Sequence, residues 1–183
     1  SRLGQPDVGF LTMSEMTSQI KIISDAVNVP LIADGDTGYG NPLNVMRTVK
    51  EYEKAGASGI ILEDQQWPKR CGHMEGKQVI PKEEHIKKIE AALEVRSSRE
   101  FIIIARTDSL AVTGIEEAVE RGKAYRDAGA DVVFIEAPRS LEELSFIRKA
   151  IRDVPLVANI IEGGKTPYLS ARDRAKVGQR QRH

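Results

Sequence analysis

The chain has 183 residues, with 27 Lys plus Arg against 27 Asp plus Glu and a single cysteine. A formal net charge of zero excludes a global field that would draw it onto nucleic acid or an anionic membrane; no apolar run approaches the roughly 20 residues of a membrane span, and one cysteine excludes an internal disulfide. What remains is one soluble domain with room for a sizeable core, cytoplasmic and reducing in its setting, that recognises small partners locally.

In chain order, SRLGQPDVGF opens without the basic and apolar regions of a signal peptide. LIAD (31–34) is the first of five apolar runs that do not alternate with polar residues and therefore read as strands buried on both faces. Helical periodicity follows over 41–56, then the strand GIILED (59–64), a helix over 81–96 and the strand FIIIARTD (101–108). A helix over 114–129, the strand VVFIEA (132–137), a helix over 140–151 and the strand PLVANII (155–161) complete the alternation, and 172–183 reads as an irregular basic tail.

The chain also repeats itself. AGASGIILED (55–64) echoes AGADVVFIEA (128–137), and NVPLIAD (28–34) echoes DVPLVAN (153–159). Units of this kind predict a parallel sheet with helical crossovers, either an open doubly wound sheet or a (β/α)8 barrel. An open sheet gathers its ligands at one switch point, whereas a barrel draws on many strand ends. Here every strand ends in polar groups: Asp34 and Asp36, Glu63 and Asp64, Arg106 and Asp108, Glu136, then Asn159 and Glu162. That favours the barrel. A full barrel takes about 250 residues and eight strands, so the expectation is an α/β fold of TIM type that is incomplete. Five to six parallel strands would be present and the first two and the last missing, with 1–183 forming one partial barrel. Its open edges would be an aggregation liability.

Certain motifs bear on chemistry. IADGDTGYG (32–40) puts two carboxylates at a strand end among glycines, which suits Mg²⁺ with its retained waters. It equally suits a turn whose aspartates cap the next helix. A single Asp-Thr-Gly in an α/β chain does not make an aspartic protease. EGGKT (162–166) lacks the earlier glycine of a phosphate-binding loop, since that position holds Asn159, and Pro167 follows it. Cys71 lies among Lys69, Arg70 and His73, a setting that would stabilise thiolate and poise the group for proton transfer; the plainer reading is a small buried apolar residue. No second cysteine supports zinc. His85 and His183 read as structural or solvated. Arg106 emerges at a strand end, suited to gripping a carboxylate at two points or to pairing with Asp108 or Glu136. Glu136 and Asn159 are each either substrate contacts or satisfied rim residues.

PDVGF, DGDTGYG, ILEDQ, KRCGH, ARTD, FIEAP and ANIIEGGKTP occur in this order from about Arg2 to Ala171. Together they resemble the isocitrate lyase and phosphoenolpyruvate mutase superfamily, its 2-methylisocitrate lyase branch most closely, with a carboxyvinyl-carboxyphosphonate phosphorylmutase-like member as the other reading. The resemblance implies a Mg²⁺-dependent carbon–carbon lyase, with Mn²⁺ as an alternative ion, cleaving a small 2-hydroxy di- or tricarboxylate. The best single match is 2-methylisocitrate giving pyruvate and succinate; isocitrate, dimethylmalate or oxaloacetate cleavage and a catalytically incompetent fragment are the alternatives. It also implies a homo-oligomer, a homotetramer as in the family. Asp34 and Asp36 would hold the metal, with Asp7 and Glu63 behind them. Cys71 would be the general acid on a lid, supported by Lys69 and His73. Cys71, Gly72, Arg106, Glu136, Asn159, Ile160 and Ile161 would bind substrate. MEGK after His73 departs from the family's RPNK, and the family's Ser-Gly-Gly loop and eighth strand have no counterpart here.

Overall fold

The computed structural model describes residues 4–5, 7–71 and 76–160. Five parallel strands are laid down in sequence order: β1 (Ile32–Asp34), β2 (Gly59–Glu63), β3 (Ile102–Thr107), β4 (Val132–Ile135) and β5 (Leu156–Val157). Each crossover adds the next strand on the same side, with no reversal of order, which is the winding of a barrel and not of a doubly wound sheet.

The strands are shorter than the apolar runs that announce them. Pairing stops where the chain turns polar, so Asp64, Asp108, Glu136 and Asn159 lie in the loops just past their strands. The run 155–161 keeps only Leu156–Val157 as strand.

Helices α2 (Pro42–Lys54), α3 (Lys82–Val95), α4 (Ile115–Asp127) and α5 (Leu141–Ala150) fill the expected crossovers. A further helix, α1 (Met13–Ala26), precedes β1 where no element was expected. Its signature is legible in retrospect: Thr12 accepts from the Glu15 amide and Glu15 reaches back to Thr12, a complete capping box.

Ile60, Leu62, Ile103 and Ala105 of β2 and β3 are buried with Val45, Val49 and Tyr52 of α2 and Ile89 and Ala92 of α3. A second cluster sets Val133 and Ile135 of β4 against Ala118 and Val119 of α4 and Ile147 of α5. Ile22, Ile23, Val27, Val29 and Ile32 remain exposed along the β1 side. Among the described residues no helix is long and apolar enough to cross a membrane.

Candidate active site

Register aligns the strand ends in two tiers. Asp34 pairs with Ile61 and Glu63 with Arg106, so Asp36, whose carbonyl accepts the Glu63 amide at 2.9 Å, stands level with Glu63, Arg106 and Phe134. Two residues further on, the same register carries Gln65, Asp108, Glu136 and Asn159 to a second level.

The first corner is the loop after β1. Asp36 holds a left-handed backbone at φ 46°, unusual for a non-glycine residue, and its amide donates to Asp34 Oδ1 at 2.8 Å. Gly38, at φ 87°, passes so close to Val45 that a Cβ there would collide. Neither aspartate caps α2. Asn41 does, accepting from Leu43 and Asn44 at 2.9 and 3.3 Å, so the capping alternative for Asp34 and Asp36 fails and both carboxylates stay at the strand end.

Asp36 Oδ1 meets Lys69 Nζ at 2.8 Å, and the same ammonium meets Asp7 Oδ1 at 2.6 Å. Burial and the neighbouring Asp34 raise the Asp36 carboxyl above the usual carboxylate range against the pull of Lys69. The Lys69 side chain is thus buried and paired with two carboxylates, partners that its place beside Cys71 in the sequence does not announce. A cavity of about 200 Å³ opens here, lined by Asp7, Asp34, Asp36 and Lys69 with Phe10 and Met16. A larger, more open hollow of about 710 Å³ lies between Tyr39, Trp67 and Lys88 and contains none of these carboxylates.

Arg106 forms the second corner. Its Nε donates to Asp108 Oδ2 at 2.9 Å and its Nη2 to Asp108 Oδ1 at 3.1 Å, and its Cζ lies 5.3 Å from the centre of the Phe134 ring. Glu63 stands on one side at 3.5 Å and Glu136 on the other at 4.0 Å. Pairing with Asp108, the plainer of the two expectations for Arg106, is therefore present. Nε and Nη2 alone are engaged with it, and a guanidinium has five N–H donors. Burial pushes Glu63 well above the ordinary glutamate range; Arg106 and Lys69 oppose the shift while Asp108 and Asp34 reinforce it. Its Oε1 is buried without a hydrogen-bond partner among the described residues. Arg106 and Glu136 do not line the small cavity; they lie along the same strand ends beside it.

Cys71 is half-buried, and the backbone before it is fixed by Gln65. The Gln65 side chain accepts the Arg70 amide at 2.9 Å and donates to the Arg70 carbonyl at 2.8 Å, copying a strand pairing with one side chain. The far end of the loop returns through a bridge between Gln65 and Val79. Trp67 lies against Gly9, where a Cβ would strike the indole, so the segment bearing Asp7 rests on this loop. Asn159 and Ile160 follow β5 half-buried, Asn159 at the level of Glu136. Gly72, His73 and Ile161 lie outside the described residues.

Sequence reasoning passed over a buried network behind these groups. Asp64, fully buried, accepts Thr107 Oγ1 at 2.7 Å, the Asp108 amide at 2.9 Å, Arg121 Nη1 at 3.0 Å and Tyr125 Oη at 2.7 Å. His85 sits edge-on to Tyr125 at 4.7 Å, fully buried, and burial lowers it to about 4. Lys77 Nζ reaches Asp108 Oδ1 at 2.8 Å.

The donor set suits a hard cation. Among the described residues no group of three His, Cys, Asp or Glu could enclose a metal. Two all-oxygen carboxylates at an open cavity, with the unpartnered Glu63 Oε1 nearby, match an ion such as Mg²⁺ that keeps most of its waters.

Known proteins bear the same arrangement of elements. A 2,3-dimethylmalate lyase of Eubacterium barkeri is 53% identical over 178 residues, covering 97% of this chain and 61% of that protein. A 2-methylisocitrate lyase of Aeropyrum pernix is 47% identical over 176 residues, covering 96% and 56%. The crystal structure of 2,3-dimethylmalate lyase, described as a PEP mutase/isocitrate lyase superfamily member, superposes with a TM-score of 0.93 at 40% identity, over 97% of this chain and 60% of that one. That of phosphonopyruvate hydrolase in complex with oxalate and Mg²⁺ superposes with a TM-score of 0.83 at 38% identity, over 97% and 61%. The chain thus spans less than two thirds of the length of each. The family description of phosphoenolpyruvate phosphomutase matches residues 1–180, and with that match the chain belongs to the phosphoenolpyruvate phosphomutase family of the PEP mutase/isocitrate lyase superfamily.

Proposed function

We propose that this chain carries the site of a Mg²⁺-dependent carbon–carbon lyase acting on a small 2-hydroxy di- or tricarboxylate, with 2-methylisocitrate, cleaved to pyruvate and succinate, as the substrate. The observation that carries the reading is the gathering of opposite charges along one edge of the sheet, at the ends of β1 to β4. Asp34 and Asp36 open onto a cavity at β1, while Arg106 stands two strands away between Glu63 and Glu136, all beside the loop that bears Cys71. Mn²⁺ would satisfy the same oxygen donors. A cytoplasmic location and assembly into a homotetramer belong to the same reading.

Cleavage requires the substrate hydroxyl to lose its proton and collapse to a ketone while the bond to the neighbouring carbon breaks. The electron pair is left on a carbon that carries a carboxylate, as a doubly charged aci-carboxylate. Mg²⁺ held by Asp34 and Asp36 would supply charge stabilisation for that dianion. Lys69 fixes Asp36 and Asp7 as a rigid floor. The remaining Arg106 donors orient a substrate carboxylate, with Asp108 holding the guanidinium in the plane of approach. Glu63, made more basic than an ordinary glutamate by burial, takes the proton that the substrate hydroxyl loses. The Cys71 thiol delivers the proton that quenches the aci-carboxylate carbon.

The 53% identity to a 2,3-dimethylmalate lyase favours a second substrate, whose cleavage would give pyruvate and propionate. Incubating the chain with Mg²⁺ and each acid, and separating the products, decides between them. We expect pyruvate from one substrate, a loss of about 10²-fold or more in kcat on Cys71→Ser, and no turnover in Asp36→Ala. Equal activity in wild type and Cys71→Ser would remove the thiol from the chemistry. Release of no 2-oxo acid from 2-methylisocitrate, isocitrate or dimethylmalate and of no oxalate from oxaloacetate, with no melting shift on adding Mg²⁺ and a dicarboxylate, would leave a non-catalytic scaffold.

A further inference from the structure

Asp108 holds two cations at once, and they come from the two parts of the molecule that the proposed chemistry must bring together. Its side chain is fully buried just past β3, and its amide is fixed by Asp64 Oδ1 at 2.9 Å. Asp108 Oδ2 accepts Arg106 Nε at 2.9 Å; Oδ1 accepts both Arg106 Nη2 at 3.1 Å and Lys77 Nζ at 2.8 Å. Burial opposes ionisation of Asp108, but Arg106 and Lys77 outweigh it and hold the carboxyl below the usual range.

Lys77 closes the loop that Cys71 opens. Its own side chain is 1% exposed, and immediately beyond it the Gln66 amide donates to Gln78 O at 2.8 Å and the Ile80 amide to Asp64 O at 2.9 Å. The near end is tied by Gln65 to Arg70. The backbone on both sides of the thiol is therefore anchored, and the far anchor is shared with the substrate-facing arginine.

We propose that Lys77 and Asp108 are positioning residues that couple the grip of Arg106 on a carboxylate ligand to the placement of Cys71, an inference that rests on the lyase reading for the identity of that ligand. The coupling is competitive. One oxygen, Asp108 Oδ1, accepts Arg106 Nη2 at 3.1 Å and Lys77 Nζ at 2.8 Å together, so strengthening either bond weakens the other. A ligand carboxylate on the remaining Arg106 donors weakens the hold of the guanidinium on Asp108 Oδ1, leaves more of that oxygen to Lys77 and tightens the far end of the loop. Loss of Lys77 leaves Asp108 wholly to Arg106, which then yields less readily to a ligand. By linkage each effect implies the other.

The chain's one thiol makes the test direct. Iodoacetamide alkylation of Cys71 is timed in wild type, Lys77→Met, Arg106→Gln and the double variant, all as the full 183-residue chain. We expect Lys77→Met to speed alkylation about fivefold, and Arg106→Gln to slow it about threefold with Lys77 present but not in the Lys77→Met background, the non-additivity of a shared partner. Lys77→Arg restores the wild-type rate to within about twofold. Additive effects, or equal rates in wild type and Lys77→Met, would overturn the proposal; Lys77→Gln repeats the cycle should the Met variant not fold. In turnover, Lys77→Met raises KM about fivefold, whereas a merely structural loss lowers kcat and leaves KM alone. A wild-type chain that turns over no hydroxy acid defeats the lyase reading, while the alkylation cycle, which needs no substrate, still decides this one.

Discussion

Where α2 runs into β2 and α4 into β4, the chain makes the same turn twice. Ala55, Gly56 and Ala57 donate to the carbonyls of Glu51, Glu53 and Tyr52, and Ala128, Gly129 and Ala130 donate to those of Ala124, Arg126 and Tyr125. Gly56 and Gly129 take φ of 97° and 101°, the left-handed helix stop that glycine favours. β2 then ends in buried Glu63 and β4 is followed at once by buried Glu136, on either side of Arg106. After that they part. Glu63 is followed by Asp64, the hub of a buried network, and Glu136 by Ala137, which turns at φ 55° with no charge to place. The paired tyrosines diverge with them, for Tyr125 donates to the Asp64 carboxylate at 2.7 Å while Tyr52 donates to the Asp34 carbonyl at 3.0 Å and meets Tyr39. The repeated scaffold fixes where two carboxylates flank an arginine, and the single residue after each decides whether the unit braces the site or only walls it.

This difference can be broken at its hub. Asp64→Ala leaves the Arg121 guanidinium buried with Glu117 as its carboxylate partner among the described residues, and should cost about 3–5 kcal/mol in urea unfolding. The matching change after β4, Ala137→Gly, relieves a left-handed residue and should cost less than about 1 kcal/mol. Equal losses would mean the two units are braced alike.

The unit around β2 also carries a pH signature. His85 titrates near 4 in the fold against 6.5 unfolded, so the unfolded chain binds the proton first as pH falls. Stability is complete above pH 6.5 and is lost as pH drops toward 4, by about 3 kcal/mol, and His85→Phe should flatten that part of the profile.

The strands were legible because parallel strands covered on both faces are apolar at every position, and the rise of polar residues at their ends betrayed the face that bears the site. α1 hid because its buried face is narrow, Ile20 being its one fully buried residue, and its start was marked only by Thr12 and Glu15. The partners of Lys69 and Lys77 were illegible for another reason. Lys69 stands beside Cys71 in sequence yet turns to Asp7 and Asp36, and Lys77 finds Asp108 on a different strand end. Periodicity says which face a residue occupies, not which charge across the fold it will meet.

Smaller effects sharpen the comparison. Tyr125→Phe removes a hydrogen bond to a buried carboxylate and should cost about 1.5–3 kcal/mol, Tyr52→Phe a bond to a neutral carbonyl and about 1 kcal/mol, both read by thermal melting. Gly56→Ala and Gly129→Ala should each cost about 1–2 kcal/mol for the left-handed backbone. Gly56→Ala should be the worse, since its Cβ would stand 2.7 Å from Ser24 Oγ, against 3.1 Å from Leu93 for Gly129.

Trp67 rests on Gly9, half-exposed, between the segment that brings in Asp7 and the loop that ends at Cys71. As the chain's one tryptophan it is a built-in optical gauge: its emission maximum and its quenching by iodide report whether these two stretches are seated together. The arrival of a ligand between them can be followed by light alone, without a dye and without catalysis.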